Sequence, residues 1–156
     1  YRKGSDLLIK AFKEINKFND FYLALLGPCN DEFKKFKNQN DIYISDKKVN
    51  NINDYMKASD LFVLLSRNEG LGIVFFEALA SGLRILLPKI PGLSNFIIGK
   101  NKSIGLESSY NVQDIKKKIL FLHKKRNTNY QQTCRSRAYQ VINNKKNIEK
   151  LKINWI

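Results

Sequence analysis

One stretch of the sequence joins a short apolar run to a glycine-containing loop and then to a helix-like segment. The run Asp60–Leu65 has the length and composition of a strand that is buried on both faces of a parallel sheet. Glu69 falls at the carboxyl end of this strand, and Gly70 and Gly72 allow backbone N–H groups to approach an anion closely. Open α/β sheets bind ligands at that edge, and the next helix adds its positive end. The stretch therefore predicts an α/β fold with a site for a phosphorylated sugar.

A second carboxylate, Glu77, follows Glu69 with seven residues between them. This spacing would place Glu69 on the loop and Glu77 about one and a half turns into the helix, where it can accept hydrogen bonds from a vicinal diol such as ribose. Glu77 stands in the apolar run Ile73–Ala80, where an unpartnered buried charge would be costly. Two solvated glutamates beside a tight turn are the alternative. We favour a ligand site, because buried ionisable groups are usually paired or functional.

The rest of the chain alternates helix-like and strand-like segments, which is the rhythm of a parallel sheet covered by helices on both faces. Ser5 is expected to cap the first helix, and Asn111 to cap a later helix with an apolar stripe. The predicted fold class is α/β, with a Rossmann-like parallel sheet flanked by helices. The predicted helices cover residues 5–17, 31–37, 53–58, 73–81, 93–98, 111 to beyond 122, and 130–144, and the predicted strands cover 21–26, 41–44, 61–65, 84–87 and 103–106.

The residues around both glutamates resemble the donor-binding, carboxyl-terminal half of the GT-B fold in retaining glycosyltransferases of family four, the glycosyl transferases group 1. The match consists of Glu69-Gly70-Leu71-Gly72 and Glu77-Ala78-Leu79-Ala80-Ser81-Gly82. The segment Arg2–Phe12 is similar to the family's Lys-Gly loop and the helix after it. Leu23–Gly27 and Tyr55–Leu61 also fall in the family's order, so the resemblance covers residues 1 to about 125.

This resemblance implies roles for individual residues in binding a nucleotide-diphosphate sugar. Glu69 is the expected catalytic residue, at the donor sugar or its adjacent phosphate, and Glu77 is expected to hold the ribose. The basic loop and the backbone of the glycine loop are expected to bind the pyrophosphate, with Lys3 as the main cation and Arg2 as a secondary one. The expected donor-binding residues are Arg2, Lys3, Gly70, Leu71, Gly72, Ile73 and Glu77, and the expected base-binding loop contains Tyr43, Ile44 and Asp46.

The sequence contains no Asp-x-Asp pair of the kind that holds a divalent metal in glycosyltransferases of the other main fold. The charge of the leaving nucleoside diphosphate would then be met by Lys3, Arg2, backbone N–H groups and the helix dipole. We therefore expect a metal-independent site with no cofactor, the nucleotide sugar being a substrate. The lone His123 has no carboxylate or nucleophile beside it and is interpreted as a surface residue, not a general base.

The chain has 156 residues, enough for one domain, whereas a GT-B enzyme has two domains that face each other across a cleft. We expect residues 1–125 to form the nucleotide-sugar-binding domain, with the family's first strand upstream of it. Residues 126–156 are expected to form a helix and a tail that packs on this domain or on the amino-terminal one, with Ile153 and Trp155 as candidate contacts. Alone, such a chain should bind a donor but transfer nothing.

The net charge of +14 raises nucleic-acid binding as an alternative function. The lysines are spread along the chain among Asn and Ile, without zinc-finger spacing or a recognition helix, so we exclude it as the main function. Cys29 and Cys134 suggest no disulfide framework, and no run approaches the ~20 apolar residues of a membrane span. We expect a cytoplasmic protein, peripheral at the inner face of an anionic membrane, that meets its acceptor glycan or lipid through the amino-terminal domain.

The sequence thus predicts a donor domain for sugar transfer in surface polysaccharide, lipopolysaccharide or glycolipid synthesis. The alternative is a non-catalytic nucleotide-sugar-binding or regulatory module that kept the fold and lost the chemistry. Two departures from the family pattern support that alternative: Arg84 replaces a usual Pro, and Asn95 stands where Glu is common. We expect both to change the outer pocket. A dinucleotide-binding oxidoreductase is excluded, because Phe75 stands where the third glycine is required.

Overall fold

Helices and strands alternate along the chain, and all paired strands run parallel. The computed structural model describes residues 2–17, 20–28, 31–37, 39–45, 47–70, 72–125 and 129–144. The helices are α1 (Ser5–Ile15), α2 (Asp31–Lys34), α3 (Ile52–Ala58), α4 (Ile73–Ala80), α5 (Leu93–Ile97), α6 (Val112–Lys124) and α7 (Tyr130–Ile142). The strands are β1 (Leu23–Leu25), β2 (Ile42–Ile44), β3 (Leu61–Val63), β4 (Arg84–Pro88) and β5 (Gly105–Ser108).

The strands form two parallel sheets, one containing β1 and β2 and the other in the order β3-β4-β5. The N–H of Leu64 donates to the carbonyl oxygen of Leu86 at 3.1 Å. Because backbone groups of successive strand residues point to opposite sides, those of Leu61 and Val63 face away from β4. Among the described residues, β1 and β3 each have one partner strand, so each keeps one unpaired edge.

Strand β4 is the centre of the core, and all five of its residues are buried. Ile85 and Leu87 pack with α4, α5 and α7, whereas Leu86 packs with α1 and α6 on the other face. This alternation explains why β4 is a continuous apolar run after its first residue, since both of its faces are covered by helices. The prediction of a parallel sheet flanked by helices is confirmed.

The predicted helices and strands are all present, and their ends differ by a few residues from those predicted. Asn111 caps α6 as expected: its side-chain oxygen accepts hydrogen bonds from the N–H groups of Gln113 at 2.8 Å and Asp114 at 3.2 Å. The prediction that Ser5 caps α1 is wrong. Gly4 is the capping residue, with φ of +74°, and Ser5 is the first residue of the helix.

The helix α7 packs against α4 and β4. Its buried face joins the core cluster through Tyr130, Cys134, Ala138 and Val141. The tail residues 145–156, with the candidate contacts Ile153 and Trp155, lie outside the described residues. In the part of the chain that the structure describes, no helix combines the length and apolar character needed to cross a membrane.

Arg84, the first residue of β4, is buried and ties the end of α6 to the core. Its guanidinium donates to the carbonyl oxygens of Ser103 at 3.0 Å, Leu122 at 2.7 Å and Lys125 at 2.6 Å, and it lies 3.7 Å from the ring centre of Tyr130. The contacts with Leu122 and Lys125 satisfy carbonyl groups at the end of α6, which have no partner within the helix. Arg84 lies at the opposite end of β4 from the predicted site, so the expectation that it alters the outer pocket is wrong.

Cys134 offers a direct check of core packing, because burial raises the pKa of its thiol to about 12. We expect Cys134, in a Cys29→Ser chain, to react with a disulfide reagent roughly 10³-fold more slowly in the native protein than in denaturant, since the thiolate is the reactive form. The reaction is followed by absorbance at neutral pH. Native-state labelling at the rate of an exposed thiol would contradict the buried position of α7.

Candidate functional site

Two loops that are distant in sequence meet beyond the carboxyl end of β3. One, residues 2–4, leads into α1, and the other, residues 64–72, connects β3 to α4. The N–H of Arg67 donates to the carbonyl oxygen of Arg2 at 2.9 Å, and the hydroxyl of buried Ser66 lies 3.3 Å from the same oxygen. The structure therefore brings together the basic loop and the acidic glycine loop that the sequence predicts to share one ligand.

Two ion pairs link the glycine loop to the basic loop and to the first turn of α1. The Lys3 Nζ lies 3.4 Å from Oε2 of Glu69, with the lysine side chain half-exposed and the glutamate side chain mostly covered. Arg67 makes a two-point contact with the carboxylate of Asp6, through Nη1 at 3.2 Å and Nη2 at 2.9 Å. Burial alone would raise the pKa of Asp6, but hydrogen bonding to Arg67 and its charge outweigh burial and hold that pKa below its usual value.

Tyr110, in the loop between β5 and α6, closes one side of this junction. Its hydroxyl donates to the carbonyl oxygen of Ser66 at 2.9 Å, and its ring centre lies 6.0 Å from the Arg67 guanidinium. Sequence reasoning assigned no role to Asp6, Arg67 or Tyr110. The opposite charges of Asp6 and Arg67, one in each motif, could have indicated that these two residues pair. Nothing in the sequence links Tyr110 to Ser66, which lies 44 positions earlier.

Two of the glycines are required by close packing. A Cβ on Gly4 would overlap the carbonyl oxygen of Leu65 and lie 2.7 Å from the Cβ of Leu65. Gly72 caps α4 with φ of +62°, and a Cβ there would lie 2.6 Å from the ring of Phe75. By contrast, Gly70 is exposed and has open space around it. Its backbone is accessible, so its predicted role in binding an anion stays a prediction.

Glu77 lies on the exposed face of α4, together with Ile73 one turn before it. The buried face of this helix is formed by Phe75, Phe76 and Leu79. The expectation that the surrounding apolar run buries the charge of Glu77 is therefore wrong. Ile73 is 40% exposed and follows Gly72 directly, so Ile73 and Glu77 form an accessible stripe that begins at the glycine loop.

The predicted base-binding residues differ in accessibility. Tyr43 is half-exposed and stacks on Tyr55 of α3 with ring centres 5.9 Å apart. Ile44 is buried in the core, so only its backbone could contact a ligand. Asp46, like Leu71 of the glycine loop, lies outside the described residues. The roles assigned to all four stay predictions.

His123 and Asn95 occupy different surroundings. The His123 ring packs edge-on against Phe21, with centres 4.8 Å apart, which is a packing contact at the surface of α6.

Asn95 borders a pocket of about 330 Å³ at the carboxyl end of β4. Its effect on pocket shape stays a prediction. The pocket is lined by Lys89, Ile90, Pro91, Gly92, Ser94, Asn95, Lys102 and Glu107.

Comparison of the sequence with known proteins gives a family match over most of the chain. The family model described as glycosyl transferases group 1 matches residues 1–141. An uncharacterized glycosyltransferase of Methanocaldococcus jannaschii is 30% identical over 78% of this chain, which corresponds to 35% of that protein. The chain spans about a third of the length of the curated relatives it matches.

Solved structures with the same fold include WaaG and Anabaena HepE. WaaG, described as a glycosyltransferase involved in lipopolysaccharide biosynthesis, has a TM-score of 0.72 at 20% identity, covering 88% of this chain and 39% of WaaG. Anabaena HepE, solved in complex with UDP and glucose, has a TM-score of 0.74 at 18% identity, covering 97% of this chain and 45% of HepE. At 20% and 18% identity, the structural similarity to these two proteins shows a shared fold and nothing more specific.

Proposed function

This chain belongs to the glycosyl transferases group 1 family, and on that premise we propose that it binds a nucleotide-diphosphate sugar as the donor domain of a retaining, metal-independent glycosyltransferase. Its Rossmann-like α/β fold is that of the GT-B glycosyltransferases. Retention of configuration, independence from metal and the identity of the donor are parts of the proposal. A relative in fold that was solved with UDP and glucose supports the donor class.

The observation that carries the proposal is the junction of the two loops at the carboxyl end of β3. The loop with Arg2 and Lys3 contacts the loop that holds Glu69, because the Arg67 N–H donates a hydrogen bond to the Arg2 carbonyl oxygen. A cationic loop, a covered carboxylate and glycine backbone at one sheet edge match the parts of a sugar diphosphate. The cations face the phosphates, and the carboxylate accepts from sugar hydroxyls.

Each residue has a proposed role in holding the donor. Lys3, with Arg2 as a secondary cation, neutralises the pyrophosphate as charge develops on the leaving group. The backbone near Gly70 and Gly72 and the positive end of α4 add fixed partial charges to the same region. Glu69 contacts the sugar or its phosphate, and Glu77 on the exposed stripe accepts hydrogen bonds from the ribose. The chain's own groups thus supply the stabilisation of the leaving diphosphate.

The acceptor side of the reaction is also proposed. We infer transfer of the sugar to a glycan or lipid in surface polysaccharide, lipopolysaccharide or glycolipid synthesis, with the acceptor bound by a second domain. WaaG, whose structure has the same fold, is described as involved in lipopolysaccharide biosynthesis. We place the reaction in the cytoplasm at the inner face of an anionic membrane, because anionic lipids attract a basic protein surface.

The proposal is tested by titrating UDP, ADP and GDP, and the corresponding nucleosides, into the chain without metal by calorimetry. We expect at least one diphosphate to bind. The Lys3→Ala change should weaken that diphosphate roughly tenfold while leaving the nucleoside nearly unchanged, because a lost charge-assisted contact costs about 1.5 kcal/mol. The Glu77→Ala change should weaken both ligands, because it acts on the ribose.

Lys10→Ala is the matched control for Lys3→Ala. Lys10 is an exposed lysine within α1, outside both loops of the junction. Its loss removes the same charge from the chain. Equal weakening by both changes would show a general effect of net charge. If none of the three diphosphates binds the chain, the proposed function is wrong.

A further inference from the structure

The cation assigned to the diphosphate is paired in the structure with the carboxylate assigned to the sugar. Lys3 Nζ lies 3.4 Å from Glu69 Oε2, which is long for a charge-assisted hydrogen bond. The Lys3 side chain is 50% exposed, whereas that of Glu69 is 13% exposed. Ion pairs with such exposure are weak, so a doubly charged ligand can displace one partner.

The second ion pair, between Arg67 and Asp6 in the first turn of α1, has a different geometry. Arg67 and Asp6 form two parallel hydrogen bonds, at 3.2 and 2.9 Å, and the Asp6 side chain is 14% exposed. Two-point contacts between Arg and a carboxylate are geometrically fixed and stronger than a single Lys contact. The Arg67 N–H also holds the Arg2 carbonyl. These contacts hold the glycine loop against the start of α1 and the basic loop independently of the Lys3–Glu69 contact.

We propose that Lys3 and Glu69 form an exchangeable ion pair that couples recognition of the diphosphate to recognition of the sugar. This inference rests on the proposed function. A diphosphate draws Lys3 from Glu69, and the freed carboxylate then accepts hydrogen bonds from sugar hydroxyls. The leaving nucleoside diphosphate alone satisfies Lys3 but leaves a mostly covered carboxylate without its cation. The pair thereby favours the complete donor over the bare diphosphate.

An unusual consequence distinguishes this coupling from simple binding by Glu69. Removing the Glu69 charge frees Lys3, so the Glu69→Gln variant should bind a nucleoside diphosphate more tightly than the wild type, about three- to tenfold at low salt. The same variant should lose affinity for the sugar nucleotide relative to the bare diphosphate. The gain should vanish in the Lys3→Gln background, because the freed cation is then absent.

The experiment compares wild type, Glu69→Gln, Lys3→Gln and the double variant by calorimetry, using the tightest binder among UDP, ADP and GDP and its glucose conjugate. Glu14→Gln is the matched control, because Glu14 is a half-exposed glutamate on α1 that pairs with Lys116. It makes the same change in net charge at another place. Circular dichroism confirms that each variant is folded.

Tighter diphosphate binding by Glu69→Gln, absent from Glu14→Gln and from the Lys3→Gln background, would support the exchange. Equal or weaker diphosphate binding by Glu69→Gln, with the wild type still binding, would overturn the exchange and leave the proposed function standing. A gain that persists without Lys3 would also overturn it, because repulsion by Glu69 would then explain the effect. Failure of the wild type to bind any diphosphate would overturn both.

Discussion

Replacement of Arg84 with Ala is expected to lower the free energy of unfolding by about 3–5 kcal/mol, the largest loss from any single change considered for this chain. The change removes three charge-assisted hydrogen bonds, leaves the carbonyl oxygens of Leu122 and Lys125 without this donor and opens a cavity beside Tyr130. Urea unfolding should show a lower midpoint with an unchanged slope. Since whole domains are stable by about 5–15 kcal/mol, this loss takes a large part of the total.

Two further variants identify the cause of that loss. Arg84→Lys keeps a cation that can reach some of the carbonyl groups, so it should retain part of the stability. Arg135→Ala removes an exposed guanidinium from α7 and should cost under about 1 kcal/mol. Diphosphate affinity of the folded Arg84 variants should match the wild type, because Arg84 lies at the amino end of β4. An Arg84→Ala loss below about 1 kcal/mol would show that the contacts of Arg84 with the end of α6 and with Tyr130 contribute little to stability.

The Gly4→Ala change is expected to affect both stability and binding. Gly4 has φ of +74°, and a Cβ would overlap the Leu65 carbonyl oxygen, which belongs to the backbone and cannot rotate away. Left-handed strain and overlap together should cost about 2–4 kcal/mol. The overlap is relieved only if the basic loop moves from the end of β3. Lys3 would move with it, so diphosphate affinity should fall as well.

Substitutions at two other glycines separate the cost of left-handed backbone strain from the cost of steric overlap. Gly92 has φ of +80° with open space around its Cβ position, so Gly92→Ala should show the strain alone, about 1 kcal/mol. Gly70 has open space and no left-handed φ, so Gly70→Ala should change stability by less than about 0.5 kcal/mol. The measurements are urea unfolding and calorimetric titration. Equal losses at Gly4 and Gly92 would show that contact with Leu65 does not matter.

The fold could be predicted from the sequence because its signals are local. Strands β1, β2 and β3 lie in short apolar runs. Strand β4 is buried on both faces, so its pattern needs no knowledge of the neighbouring elements. The cap of α6 was predictable for the same reason, since Asn111 bonds only to residues two and three positions later. The cap of α1 was not. Gly4 is selected by contact with Leu65, which is 61 positions away in the chain.

The candidate site could be predicted in part. The motifs around Lys3 and Glu69 were recognisable separately, and the carboxyl-edge rule for parallel sheets placed them together. The reasoning for Glu77 failed, because an apolar sequence around a charge does not show which face of the helix carries it. Arg84 was misjudged for a similar reason: a departure within a motif was taken to border the ligand, whereas the side chain points to α6 and α7.

Within the described residues, β1 and β3 each have an unpaired edge, and these edges affect how the chain behaves at high concentration. Leu61 and Val63 present backbone donors and acceptors away from β4, on strands that are only partly covered. Natural sheets usually protect such edges with charge, proline or a covering segment, because an open edge is a template for strand addition. The net charge of +14 gives copies of the chain some mutual repulsion, and that repulsion weakens as ionic strength rises. Low salt is therefore the condition that favours dispersed molecules, and concentrated salt the one that invites aggregation.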